Sequence, residues 1–113
     1  MAAEVKIESR DGLSLVDIDG TIDGASAPAV QERVLPLLTA GSKVVLDMRG
    51  VDFMSSAGLR LMLQFFRQTT AAGGKLVLLG LSDDIRDTMS LTGFLDFFTT
   101  ADDMDTAVAA VQG

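Results

Sequence analysis

Two adjacent hydroxyls, Ser55 and Ser56, stand where a strand-like pattern gives way to a helical one. A serine at that point can cap the helix, its oxygen accepting one of the orphan N–H groups of the first turn. It can also serve as a nucleophile, but only beside a base. The chain has no histidine and no cysteine, which removes a Ser-His-Asp triad, an imidazole base, thiolate chemistry and a His-ligated metal. The remaining base is lysine, and Lys6, Lys43 and Lys75 all fall at strand starts, away from the serines. Neither Asp83-Asp84 nor Asp102-Asp103 has the spacing or the closing glutamate of a calcium loop, and both suit helix starts. Gly73-Gly74 lacks the Lys-Ser/Thr of a phosphate loop and reads as a helix stop. What survives is a binding surface: two hydroxyls on the rim of a sheet, at the positive end of a helix.

The elements that must position them follow from periodicity. Val44, Val45 and Leu46 form a continuous apolar run, a strand covered on both faces, which a loop joins to the serines. From Leu59 the apolar positions Leu59, Met62, Leu63 and Phe66 lie on one helical face that ends at Gly73. Before them, Val5–Ser9 alternates apolar and polar, and Asp11-Gly12 is a two-residue hairpin signal returning the chain through Leu13–Ile18. Ser26 is placed to cap a helix carrying Val30, Val34, Leu37 and Leu38, with Pro28 in its first turn and Gly41 as its stop. Pro36 must kink that helix or divide it. Leu76–Leu79 is a second buried strand. Ser82 opens a helix with Ile85 and Met89 that stops at Gly93, and Phe98-Thr99 suits a short edge strand. Asp102-Asp103 opens a last helix with Met104, Ala107, Val108 and Val111 on one face. The order β-β-α-β-α-β-α-β-α predicts an α/β domain, a mixed and mostly parallel sheet of roughly four to five strands with about four helices, opened by a β-hairpin.

At 113 residues, 48% of them hydrophobic and 22% charged, the chain is sized and composed for one domain spanning residues 1–113 with one core. No apolar run approaches the roughly 20 residues a membrane span needs. The first residues lack the basic and apolar regions of a secretory leader, and a cysteine-free chain fits the cytoplasm. A net charge of −7 argues against nucleic acid and against direct membrane binding, both of which want Lys/Arg patches. Lacking Trp and Tyr, the chain also has no platform of those residues for stacking bases or sugars.

Asp47-x-x-x-Val51-x-Phe53-Met54-Ser55-Ser56-Ala57-Gly58-Leu59 resembles the signature of STAS domains, most nearly the small bacterial anti-sigma factor antagonists. Asp19-Gly20-x-Ile22-Asp23 with Ser26-Ala27-Pro28 resembles the family's second signature, and the likeness covers the whole chain. The resemblance implies a non-enzymatic partner switch. The unphosphorylated antagonist would bind an anti-sigma factor that is also a serine kinase, of the ATP-binding histidine-kinase-like type. Phosphorylation would end the association, and a serine phosphatase would reset it. The motif register places the phosphoacceptor at Ser56, with Ser55 the second choice. Ser55 stands where the best-known members carry aspartate, and Ala57 where they often carry serine or threonine. The resemblance further implies a partner surface at Asp23, Ser26, Ser55, Ala57 and Gly58, supported by Asp19, Asp47 and Phe53. No cofactor and no metal are implied, and the free protein is expected to be a monomer.

Residue patterns leave several of these positions with two readings. Gly58, Leu61 and Phe65 form a stripe beside the core face, either a partner surface or a face buried under the Ser82–Thr92 helix. Asp23 either meets the partner or orders the Gly20–Ser26 loop as an Asx-turn. Asp47, at a strand end, suits backbone bonds that order the following loop; with Asp19, Asp23 and Asp52 it is expected near the serine rim. An alternative role is that of a constitutive STAS adaptor, in a lipid transporter or a stressosome-like assembly, where the serines merely cap.

Overall fold

Asp11 and Gly12 both adopt positive φ (52° and 80°), the geometry of a two-residue turn whose twist matches the strands it joins. The turn pairs β1 (Ala3–Arg10) antiparallel with β2 (Leu13–Ile22) in an unbroken register from Ala3↔Gly20 to Arg10↔Leu13. In this computed structural model, which describes residues 3–112, the chain continues through α1 (Ala27–Val34), β3 (Lys43–Met54), α2 (Ser56–Ala71), β4 (Lys75–Leu79), α3 (Asp83–Leu91), β5 (Thr99–Ala101) and α4 (Met104–Gln112). That is the expected α/β order with a five-stranded sheet. At Pro36 the helix divides as its chemistry requires: α1 ends at Val34 and a 3₁₀ turn, Leu35–Leu37, follows.

The strands lie in sequence order, β1 antiparallel and β2 to β5 parallel. Crossovers that all step the same way with the same hand put their helices on one face, so α1, α2 and α3 share a side. Val16, Ile18, Val44, Leu46, Met48, Leu76 and Leu78 point to them and are buried. The alternate positions Leu13, Leu15, Val45, Val77 and Leu79 point the other way and pack with Ala101, Ala107 and Val111 beneath α4. Two apolar faces on one sheet explain why the central strands read as unbroken apolar runs. Among the described residues no helix is long and apolar enough to cross a membrane.

Two expectations about the central segment are corrected. The strand does not give way to a loop after Leu46; β3 runs twelve residues to Met54. Its loop-like residues are accommodated by shifts of register against β2, between Asp17 and Asp19 and between Gly20 and Thr21, where Gly20 takes φ 110°. Gly50 lacks the Cβ that would occupy the place of the Asp19 carboxylate. The buried arc of α2 is also rotated from its expected centre. Gly58, Leu59, Leu61, Met62, Phe65 and Thr69 are buried, while Leu63 and Phe66 are only half-buried. Phe66 rests against Phe97 and Phe98, each at a centroid distance of 5.6 Å.

Candidate partner-switch site

Ser55 ends the extended path of β3 with φ −80° and ψ 178°, and its N–H donates to the Ile22 carbonyl at 2.9 Å, tying the start of α2 to the end of β2. The Ser55 hydroxyl accepts from the Gly58 N–H at 3.4 Å and so takes the cap. Ser56 follows as the first helical residue. It is exposed, and among the described residues no hydrogen bond engages its hydroxyl. The two serines have thus divided the roles: one is structural and half-buried, the other free at the positive end of a sixteen-residue helix.

Gly58 makes that approach possible. A Cβ there would lie 2.8 Å from the Ile22 carbonyl oxygen and 2.5 Å from Met54 Cγ, so the helix could not dock so closely on the strand ends. Gly58 is buried and offers no surface of its own; its role is to set the position of the α2 start. Leu61 and Phe65 are buried in the main core, 5% and 0% exposed, and do not form a partner-facing stripe. They share that core with Ile85 and Met89 of α3; Leu61 also borders the α1–α2 groove, and Leu59 lines a depression with the α3 residues Ile85 and Thr88.

The loop between β2 and α1 is held by its own side chains. Asp23 Oδ1 accepts from the N–H groups of Ala25 and Ser26, each at 3.0 Å, which makes it the Asx-turn of the loop. Those bonds, the Ser26 N–H first, hold the Asp23 carboxyl below the ordinary carboxylate range. Ser26 does not cap α1 with its side chain. Its hydroxyl donates to the Thr21 carbonyl at 2.7 Å and accepts from the Asp23 N–H at 3.0 Å, and the residue is buried. It therefore locks the loop from inside instead of meeting a partner.

Asp47 lies mid-strand, paired with Asp17 on one side and Leu79 on the other. It stands seven positions before Met54, about 23 Å at strand rise, which removes it from the serine rim. Arg49 forks onto it, Nε to Oδ1 at 2.9 Å and Nη2 to Oδ2 at 2.8 Å, and the Arg49 N–H donates to Oδ1 at 3.1 Å. Burial works to raise the Asp47 carboxyl, but these bonds outweigh it and hold the group below its usual range. Neighbouring Asp17 has no such fork, and burial, then Asp19 and Asp47, push its carboxyl up. Asp19 sits over Gly50. These residues order the back of the sheet rather than the site. Of the acids expected at the rim, Asp23 and Asp52 lie at the strand ends, where Asp52 accepts from the Thr21 hydroxyl at 3.0 Å.

Phe53, expected to support the site, lies at its surface. Its ring is 56% exposed and borders a depression of about 190 Å³ with Met54, Leu59, Asp84, Ile85 and Thr88. On the other side of the α2 start, Ala57 lines a groove of about 240 Å³ between α1 and α2, with Pro28, Gln31, Arg60 and Gln64. Gln31 donates to Gln64 across it at 2.9 Å, at the exposed surface. Arg60 is exposed and lies four residues after Ser56, hence on the same face of α2. Ser56 is flanked by an exposed aromatic on one side and, on the other, a mainly apolar groove that also carries Gln31, Arg60 and Gln64. Among the described residues no group of three or more acids is placed to hold a metal.

The family model described as the STAS domain matches residues 4–107. The chain is 31% identical over 110 residues to BtrV of Bordetella bronchiseptica, provisionally named an anti-sigma factor antagonist, covering 96% of this chain and 95% of that one. It is 30% identical over 96 residues to the anti-sigma-B factor antagonist of Bacillus subtilis, 85% of this chain and 88% of that one. Among solved structures, an anti-sigma factor antagonist from Mycobacterium paratuberculosis superposes with a TM-score of 0.83 at 25% identity, over 98% and 95% of the two chains.

Proposed function

This chain belongs to the STAS-domain family of anti-sigma factor antagonists, whose members are regulatory and non-catalytic, and we propose that it acts as a partner switch controlled at Ser56. Its unphosphorylated form binds a cytoplasmic anti-sigma factor that is also a serine kinase, through the α2 start, Phe53 and the α1–α2 groove. The kinase phosphorylates Ser56 and is released, and a serine phosphatase restores the hydroxyl. The observation that carries this reading is the division of labour at the helix start: Ser55 holds the cap, so the exposed Ser56 hydroxyl can be modified without taking a bond from the fold.

The magnitudes favour an effect at the interface. A phosphoserine adds about −1.5 to −2 charge, which a helix N-terminus favours by about 0.3–1 kcal/mol. Once a partner covers it, an uncompensated charge costs about 3–5 kcal/mol, a hundredfold to a few thousandfold in affinity. Asp23 and Asp52 at the same rim add repulsion. The test is a pull-down of the kinase partner, with and without ATP, by the wild type, Ser56→Ala and Ser56→Asp. Ser56→Ala should stay bound when ATP is added, and Ser56→Asp should bind weakly from the outset. Equal binding by all three, indifferent to ATP, would sink the switch and leave a constitutive adaptor.

A further inference from the structure

β1 is one edge of the sheet, and its turn fixes which backbone groups face outward. In a two-residue hairpin the flanking pair, Arg10 and Leu13, exchanges both hydrogen bonds, so Glu8–Leu15, Lys6–Asp17 and Glu4–Asp19 do the same. The N–H and C=O groups of Val5, Ile7 and Ser9 therefore point away from the sheet. Arg33 agrees with that direction, donating to the Val5 carbonyl at 3.2 Å. Eight residues is long for an open edge, and natural edges are usually blunted by charge.

The charge on this edge has a different pattern. Glu4, Lys6, Glu8 and Arg10 are all exposed on the face away from α1, α2 and α3, and their signs alternate. Alternation makes the strand complementary to itself when reversed about Ile7. We propose that β1 pairs with β1 of a second copy of this chain, antiparallel about a two-fold axis at Ile7, joining two five-stranded sheets into one. In this register the outward groups of Ile7 meet those of Ile7, and Val5 meets Ser9, each pair exchanging two hydrogen bonds once the exposed Arg33 side chain gives up the Val5 carbonyl. The pairs between them, where side chains approach most closely, are Lys6 with Glu8 and Glu4 with Arg10. Moving the axis to Lys6 sets Lys6 on Lys6 and Glu4 on Glu8; moving it to Glu8 sets Glu8 on Glu8 and Lys6 on Arg10. Axes at Val5 or Ser9 also oppose unlike charges but overlap less of the strand, so charge and overlap together select the Ile7 register.

A second observation comes from within the sheet. Glu4 lies directly opposite Asp19, a like-charge pair that the second copy's Arg10 would neutralise. In the single chain Arg10 turns back onto Glu8 at 2.7 Å, with both side chains more than half exposed, so the pair holds it weakly and can be exchanged. The half-exposed Val5 and Ile7 would be covered by the same contact. A different strand as occupant would not require a pattern antisymmetric about the middle of β1, whereas a second copy does. The two-fold leaves the Ser56 sites at opposite ends of the joined sheet, so each copy remains open to its own partner.

Sedimentation velocity across the micromolar range tests this. The wild type should form a dimer on dilution-reversible mass action. Lys6→Glu turns both Lys6–Glu8 pairs into like charges and should weaken the dimer by about tenfold or more. Lys6→Glu with Glu8→Lys restores every opposite-charge pair across the axis and should restore the dimer, although it leaves an acid facing Asp17 within the chain. Ser9→Pro removes an outward donor that the single chain does not use and should also weaken it. A wild type that stays monomeric, or a double variant as weak as Lys6→Glu alone, would overturn the proposal. So would a dimer insensitive to Lys6→Glu and Ser9→Pro.

Discussion

Replacing each serine of the pair by alanine separates their roles, because one hydroxyl works in the fold and the other does not. Ser55 accepts from the Gly58 N–H at 3.4 Å, a long bond, so its removal falls in the lower part of the capping range, about 0.5–1 kcal/mol. Ser56 is exposed and its hydroxyl has no described partner, so Ser56→Ala should change stability by less than about 0.5 kcal/mol. A chain of 113 residues has an unfolding entropy that converts 1 kcal/mol into roughly 4 °C. Ser55→Ala should therefore lower Tm by about 2–4 °C, while Ser56→Ala leaves it within about 2 °C. Urea titrations should show the same difference in midpoint at equal slope. If Ser56→Ala costs more than Ser55→Ala, the cap has been assigned to the wrong serine, and modification of Ser56 would disturb the fold itself.

Gly58→Ala gains helix propensity but drives a methyl against the Ile22 carbonyl and Met54; the clash should win by about 1–3 kcal/mol, read as a lower urea midpoint. Phe53→Ser removes an exposed ring and should weaken partner binding at least several-fold, measured by calorimetry, with stability within about 0.5 kcal/mol of wild type. Asp47 and Asp17 should respond oppositely to pH. The folded Asp47 carboxyl lies below the ordinary 3.8, so the folded state binds fewer protons there; its stabilisation is complete above that value and is lost as pH falls through the folded one. Asp47→Asn should flatten the acid limb of a stability–pH profile. The folded Asp17 carboxyl lies above 3.8, so its ionisation opposes folding as pH rises, and Asp17→Asn should raise stability at neutral pH.

Local chemistry that had only one outlet was readable from the chain itself. Asp11-Gly12 could only be a tight turn, Pro36 had to kink or divide a helix, and Ser82 had to cap one, which it does by accepting from the Ile85 N–H at 3.2 Å. The helix start at the serine pair was equally plain. What stayed hidden depended on partners distant in sequence. Asp47, Gly50 and Asp52 carry loop chemistry, yet they belong to β3 because β2 shifts register beside them and Asp19 fills the space over Gly50. Periodicity in α2 found an apolar helix but not which arc faced the sheet, since Gly58 lets the helix settle against Ile22 and rotates Leu61 and Phe65 inward. Ser26 looked like a cap and became a buried tie, because Thr21 offered its carbonyl from the preceding strand. Phe53, expected to support the site, proved exposed, being next to the last residue of a strand whose length the sequence conceals.

The central claim is that phosphate on Ser56 acts on the interface and not on the fold. Calorimetric titration of the purified kinase partner with the unmodified chain and with the chain phosphorylated at Ser56, alongside urea unfolding of both forms, measures the two effects separately. The account predicts an affinity lowered by about a hundredfold or more, with folding stability changed by no more than about 1 kcal/mol. Equal affinities, or a loss of binding matched by a comparable loss of folding stability, would contradict it.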